Sequence, residues 1–216
     1  MRSLKLPVLS ISLAAMICLT LAESASAVPG LYSRIEEDWE LILNTPDLSF
    51  PAPQVVVMMK PATASPKTAL FLINHHDTPQ FNAGGGQIQI WDGDALKTYK
   101  SFAGPTLIRV GERVIWTQYM ERSGGKFQFG LSHVEGDAWG VNTASDLGGP
   151  VSFGDIKPVF DGYNSADSVE GATITFGADR ISSLKLLQVR KYPSDGSPVE
   201  VESTARLIYP FETPSP

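Results

Sequence analysis

Stretches in which apolar and polar residues take turns recur along this chain, and each stops at a turn-forming cluster. Gln87-Ile88-Gln89-Ile90-Trp91 alternates strictly and ends at Asp92-Gly93. Lys126-Phe127-Gln128-Phe129-Gly130-Leu131 alternates again, and the chain turns at Glu135-Gly136-Asp137. The β-branched and aromatic run from Val114 to Met120 precedes it across Ser123-Gly124-Gly125, so these two runs predict a hairpin. Ala69 to Asn74 is a compact apolar run bounded by Pro66 and by Asn74-His75-His76-Asp77. Thr173 to Phe176 and Ser183 to Tyr192 read as two more strands, with Val199 to Glu202 and Arg206 to Tyr209 closing sheet edges. Seven or more short strands with frequent turn signals predict an all-β sandwich or barrel.

The segment from Ser33 to Leu43 fits two templates. Ser33-Arg34-Ile35-Glu36 has capping-box form, and Ile35, Trp39, Ile42 and Leu43 share a helical face. Trp39, Leu41 and Leu43 also alternate with Glu40 and Ile42, as in a strand. The strand is preferred, because so short a helix needs a groove to bury its stripe. Asn44-Thr45-Pro46 ends either element.

Composition sharpens this picture. Gly 19 and Pro 16 in 216 residues leave little room for long helices. Hydrophobic residues at 43% and charged ones at 19% suit a packed core rather than a disordered chain. A net charge of -6 speaks against a nucleic-acid partner. Residues 1–27 read as a signal peptide. Arg2 and Lys5 are its positive start, Leu6 to Leu21 its apolar stretch, and Ala25-Ser26-Ala27 its cleavage site. That predicts export to the periplasm, cell surface or medium, with no membrane association after cleavage. Residues 28–216 then form one domain without a linker or internal repeat. The single cysteine, Cys18, leaves with the signal, so neither a disulfide framework nor a thiolate zinc site is expected.

Phe176-Gly177-Ala178-Asp179-Arg180, Leu184 to Leu187 and Val189-Arg190-Lys191-Tyr192 resemble the closing strand of concanavalin A-like, laminin G-type jelly rolls. Gly84-Gly85-Gly86-Gln87-Ile88-Gln89-Ile90-Trp91 and Val114 to Met120 are similar to central strands of that fold. The mature chain also resembles a class of exported bacterial proteins built on the same plan. The resemblance implies a two-sheet antiparallel β-sandwich. It implies no activity, since the fold hosts lectins, hydrolases, lyases and spacers.

Three sets of side chains carry candidate chemistry. Glu36-x-Asp38-x-Glu40 fits the E-x-D-x-E pattern of retaining glucanases on this fold, and on a strand the three share a face at about 6.5–7 Å intervals. The ordinary alternative is an acidic sheet edge that discourages aggregation. Gln87, Gln89 and Trp91 face away from the core if Ile88 and Ile90 face into it, and Gln128 turns outward from Phe127 and Phe129. The Val114–Met120 strand presents either Trp116 and Gln118 or Thr117 and Tyr119. Amides hydrogen-bond sugar hydroxyls and an indole offers a stacking face, so Gln87, Gln89, Trp91, Trp116, Gln118 and Gln128 are the expected ligand residues. Asp92 with Asp94, and Asp155 with Asp161, supply oxygen pairs of the kind calcium takes. No complete calcium loop is present, so turn formation is the expected role and no cofactor is expected.

The three histidines add little. His75 and His76 are adjacent and point to opposite faces of a strand, while His133 continues the Phe127, Phe129, Leu131 stripe. A non-catalytic binding or surface module for a glycan or envelope polymer is the expected function. A carbohydrate-active enzyme using Glu36, Asp38 and Glu40 is the alternative, and a structural spacer without a small ligand is the second.

Overall fold

A computed structural model describes residues 32–44, 53–74, 84–107, 109–137, 140–155 and 160–210. The expected signal segment, His75, His76 and the Asp155 side chain lie outside the described residues. The protein is an all-β sandwich of two antiparallel sheets packed on one another. Its first described strand, β1 (Tyr32–Leu43), decides between the two templates for this segment in favour of the extended chain. Ile35, Trp39, Leu41 and Leu43 point into the core, while Arg34, Glu36, Asp38 and Glu40 point the other way.

The strands that follow are β2 (Gln54–Met59), β3 (Lys67–Ile73), β4 (Gly84–Asp92), β5 (Ala95–Thr106), β6 (Arg113–Ser123) and β7 (Lys126–Gly136). After them come β8 (Gly140–Thr143), β9 (Val151–Asp155), β10 (Thr173–Phe176), β11 (Ile181–Pro193), β12 (Glu200–Glu202) and β13 (Arg206–Tyr209). The larger sheet has the order β12-β11-β1-β6-β7-β8, with β13 also on β11 and β9 also on β7. The smaller has the order β10-β2-β3-β4-β5. The β6–β7 hairpin forms as the sequence predicts, and β12 and β13 both close the free side of β11.

The core lies between the sheets. Trp39 and Trp116 stack in parallel with centroids 6.1 Å apart, and Phe71 of the facing sheet meets Trp116 edge-on at 5.6 Å. Among the described residues, one short α-helix, α1 (Ser165–Glu170), and a 3-10 turn at Phe160–Gly162 interrupt the β architecture between β9 and β10. Asn164 caps it by accepting a hydrogen bond from the Ala166 N–H at 3.1 Å. Among the described residues no helix is long and apolar enough to cross a membrane.

Candidate functional site

The acidic row of β1 is not an edge. β1 lies inside the larger sheet, paired with β11 on one side and β6 on the other, so its backbone is fully occupied. The expectation of a protective acidic edge is therefore wrong. The charge is instead matched by Arg34 of the same strand and by cations from the neighbouring strands. Glu36 takes Arg34 at 2.8 Å, Arg190 at 2.7 Å and the Tyr192 hydroxyl at 2.8 Å. Asp38 accepts both terminal nitrogens of Arg190 and the Thr117 hydroxyl at 2.7 Å. Glu40 pairs with Arg113 at 2.5 Å and Lys185 at 3.6 Å. Burial alone would raise the Glu36 pKa, but hydrogen bonds from Arg190, Tyr192 and Arg34 outweigh it and hold the carboxyl below its usual range. A retaining glycosidase pairs a protonated acid with an ionised nucleophile, and Glu36 is tuned toward the ionised state, away from the acid role.

The six expected ligand residues do not converge. Gln87, Gln89 and Trp91 occupy the outer face of the smaller sheet, as alternation requires. Their side chains form a ladder along β4. The Trp91 indole N–H donates to Gln89 Oε1 at 2.7 Å, Gln89 donates to Gln87, and Gln87 Nε2 donates to Ser101 Oγ at 2.8 Å. Gln87 and Gln89 retain only 6% and 7% exposure, with Leu72 and Leu70 of β3 beside them in register. Across on β5, Tyr99 stands opposite Gln89 with 60% exposure, and Leu96 opposite Trp91 with 42%.

Gln128 faces outward too, but on the larger sheet, opposite Glu121. Trp116 and Gln118 face inward, contrary to their place in the expected ligand set. Trp116 has no exposed surface and packs between Trp39 and Phe71. Gln118 is equally buried and donates to Glu37 Oε2 at 2.8 Å. The outward positions of β6 are Thr117 and Tyr119. His133 likewise leaves the stripe it was expected to continue. A bulge at Thr117/Gln118 turns Val134 into the core, and His133 lies outside at 3.3 Å from Glu135.

Asp92 pairs with Lys67 at 3.5 Å, whereas Asp94 is exposed on the turn after β4 and Asp161 is exposed in a short 3-10 helix. Among the described residues no three histidine, cysteine or acidic groups converge to hold a metal. A largely apolar cavity of about 260 Å³ opens beside β10 and β13, lined by residues that include Ile174, Ile208 and Tyr209. A polar one of about 130 Å³ lies by Glu135 and Asp137, sharing Arg113 with the acidic row. Neither touches the β4 ladder.

The group that sequence reasoning missed is Glu37. It sits among Ile35, Trp39 and Leu41 on the inward face of β1 with no exposed surface. Oε2 accepts the Trp39 indole N–H and Gln118 Nε2, each at 2.8 Å. Oε1 accepts the Tyr163 hydroxyl at 2.6 Å and the Ser168 hydroxyl at 2.5 Å. Burial raises its pKa, and the four hydrogen bonds only partly offset that effect. The sequence signal was its position. Once Ile35, Trp39 and Leu41 are taken as core, Glu37 must share their side of the strand.

These features define a two-sheet antiparallel all-β sandwich with one ion-paired outer face and one amide-and-aromatic outer face. The sequence matches no protein-family model and no curated protein.

Proposed function

We propose that this protein is a non-catalytic, exported binding or surface module. In this reading it belongs to the concanavalin A-like jelly rolls and takes a glycan or envelope polymer on the outer face of its smaller sheet. One observation carries the reading. Trp91 and the exposed Tyr99 flank Gln89 on neighbouring strands, and hydrogen bonding along β4 fixes the indole and both amides before any ligand arrives. Preorganised aromatic and amide groups suit a sugar, which presents an apolar ring face and a rim of hydroxyls. Export rests on the pattern of residues 1–27, and the two-sheet antiparallel architecture is compatible with a jelly roll.

The test is a glycan array followed by calorimetry on any hit. An indole face sharing roughly 60–80 Å² with a sugar contributes about 1.5–2 kcal/mol at about 25 cal/mol per Å². Trp91→Ala should therefore weaken binding about tenfold or more, and Gln89→Ala less. Glu36→Gln, on the other sheet, should leave affinity unchanged. If Glu36→Gln instead abolishes hydrolysis of a bound glycan, the enzyme alternative replaces this one. The low exposure of Gln87 and Gln89 favours a second reading, the spacer, and a parent protein that binds no glycan would establish it over the first.

A further inference from the structure

The Glu37 carboxyl is held from two sides by groups of different kinds. The Oε2 side meets an indole N–H and an amide N–H, which can only donate. The Oε1 side meets two hydroxyls, which can donate or accept. A proton on Oε1 is thus accommodated without loss of a partner, because the Ser168 or Tyr163 hydroxyl rotates to receive it. Ionised, the same carboxyl has no exposed surface, and its contacts are these four neutral donors.

Both hydroxyls come from one segment, residues 160–171, which contains α1 and touches both sheets. Phe160 packs edge-on against Phe127 of β7, and the Ser165 hydroxyl reaches Glu202 of β12 at 3.3 Å. The Thr63 N–H donates to the Gly162 carbonyl at 3.2 Å in the turn after β2. Glycines at each end allow this close seating. A Cβ on Gly162 would come 2.7 Å from Ala62 Cβ, and one on Gly171 would land on the Met58 thioether. Among the described residues, both hydrogen bonds to Oε1 come from this segment.

We infer that residues 160–171 form a cap over Glu37, and that the protonated state of Glu37 holds it shut. Lifting the cap removes Tyr163 and Ser168 and lets water reach Oε1, so ionisation is costly only while the cap is closed. Proton binding therefore favours the closed form, and rising pH favours the open one. The upward shift of the buried carboxyl agrees with that direction. The groups around it do not reverse the sign. Val189 of β11 and Gln118 of β6 stand opposite Glu37 and are uncharged. Tyr163 ionises only far above the usual phenol range, because burial and the Glu37 charge oppose it. Lys191 lies 5.9 Å from the Tyr163 ring, and the Arg206 charge acts on the same phenol.

Closing is fullest where the carboxyl is protonated in both forms, and weakens as pH climbs through the raised closed-state value. The loss is up to tenfold per pH unit and then levels off. Hydrogen–deuterium exchange of the full chain between about pH 4 and 8, corrected for the intrinsic exchange rate, reads the cap amides directly. The parent should lose protection over residues 160–171 with that slope, and Glu37→Gln should be protected and flat. The glutamine carbonyl can accept from Trp39 and Gln118 while its NH₂ donates to the two hydroxyls, which copies the protonated state. Tyr163→Phe should lower protection but keep the slope, because the titrating carboxyl remains. A flat parent profile overturns the inference whether or not Glu37→Gln folds. So does a slope that survives in Glu37→Gln, or one that vanishes in Tyr163→Phe.

Discussion

Replacing Trp116 by alanine separates a core residue from a ligand residue. Trp116 is wholly buried, stacked on Trp39 at 6.1 Å and edge-on to Phe71 at 5.6 Å. A buried aromatic side chain covers about 150–250 Å², and at about 25 cal/mol per Å² this is worth roughly 4–6 kcal/mol against full exposure. Alanine keeps some of that burial but leaves a cavity, and aromatic-to-alanine changes in cores cost about 3–5 kcal/mol. Loss of two ring–ring contacts, at about 0.5–1.5 kcal/mol each, places Trp116→Ala toward the upper end. Each kcal/mol lowers Tm by about 2–4 °C in a domain of this size, so Tm should fall by roughly 6–20 °C. Urea titration followed by far-ultraviolet circular dichroism gives the same quantity without relying on the lost fluorophore. Trp91→Ala, measured in parallel, should cost less than about half as much, since its indole is only partly covered. A Trp116→Ala protein that melts within about 2 °C of the parent would mean that β6 presents its other face to the core.

Three further outcomes follow from contacts already described. Arg190→Gln removes the cation shared by Glu36 and Asp38 and should cost about 1–3 kcal/mol. Urea midpoints should show that gap narrowing in 1 M salt, because the remaining carboxylate repulsion is screened. Glu36 has a folded-state pKa below its unfolded value, so its contribution is present above about pH 4.5 and fades as pH falls through the lowered value. Acid titration of Glu36→Gln should therefore lack part of the parent's loss of stability below pH 4.5, and identical acid limbs would refute the pairing. Gly171→Ala drives a methyl group into Met58 and should destabilise the protein by about 1–3 kcal/mol. Met58→Ala in the same chain should recover part of that loss, a coupling that thermal melts of the two single variants and the double variant would measure.

The sequence was most legible where one side of a strand is apolar and the other polar. Residues 87–91 and 126–131 announce themselves because apolar core positions alternate with polar outward ones, whereas 183–192 alternates only as far as Leu186, where its register with β1 slips. β2 and β5 were not expected. Gln54–Met59 is apolar on nearly every position, and Ala95–Thr106 mixes lysines with aromatics at the sheet's edge, so neither carries the alternation. β1 was ambiguous for a different reason. Its acidic residues look solvated until the arginines of β6 and β11, far away in sequence, are placed beside them. The choice of face on β6 was undecidable locally, since Trp116 and Gln118 are as polar as Thr117 and Tyr119. What decides it is Glu37 across the strand pair, which needs the Gln118 amide as a donor. The His133 expectation failed because a bulge shifts the alternation by one residue, and no local pattern marks where a ladder slips.

The position of β1 has a consequence for how the chain is made. It is the first described strand, yet one of its partners is β11, and Arg190 lies 154 residues beyond the Glu36 it binds. The larger sheet cannot close around its central strand until most of the polypeptide exists. Non-local pairing of this kind makes folding slow, because the entropy of a very large loop must be overcome before the contacts form. Synthesis at roughly 5–20 residues per second would then hold β1 unpaired on its β11 side for many seconds. In an exported protein, as proposed above, that delay preserves the unfolded chain that a translocation pore accepts.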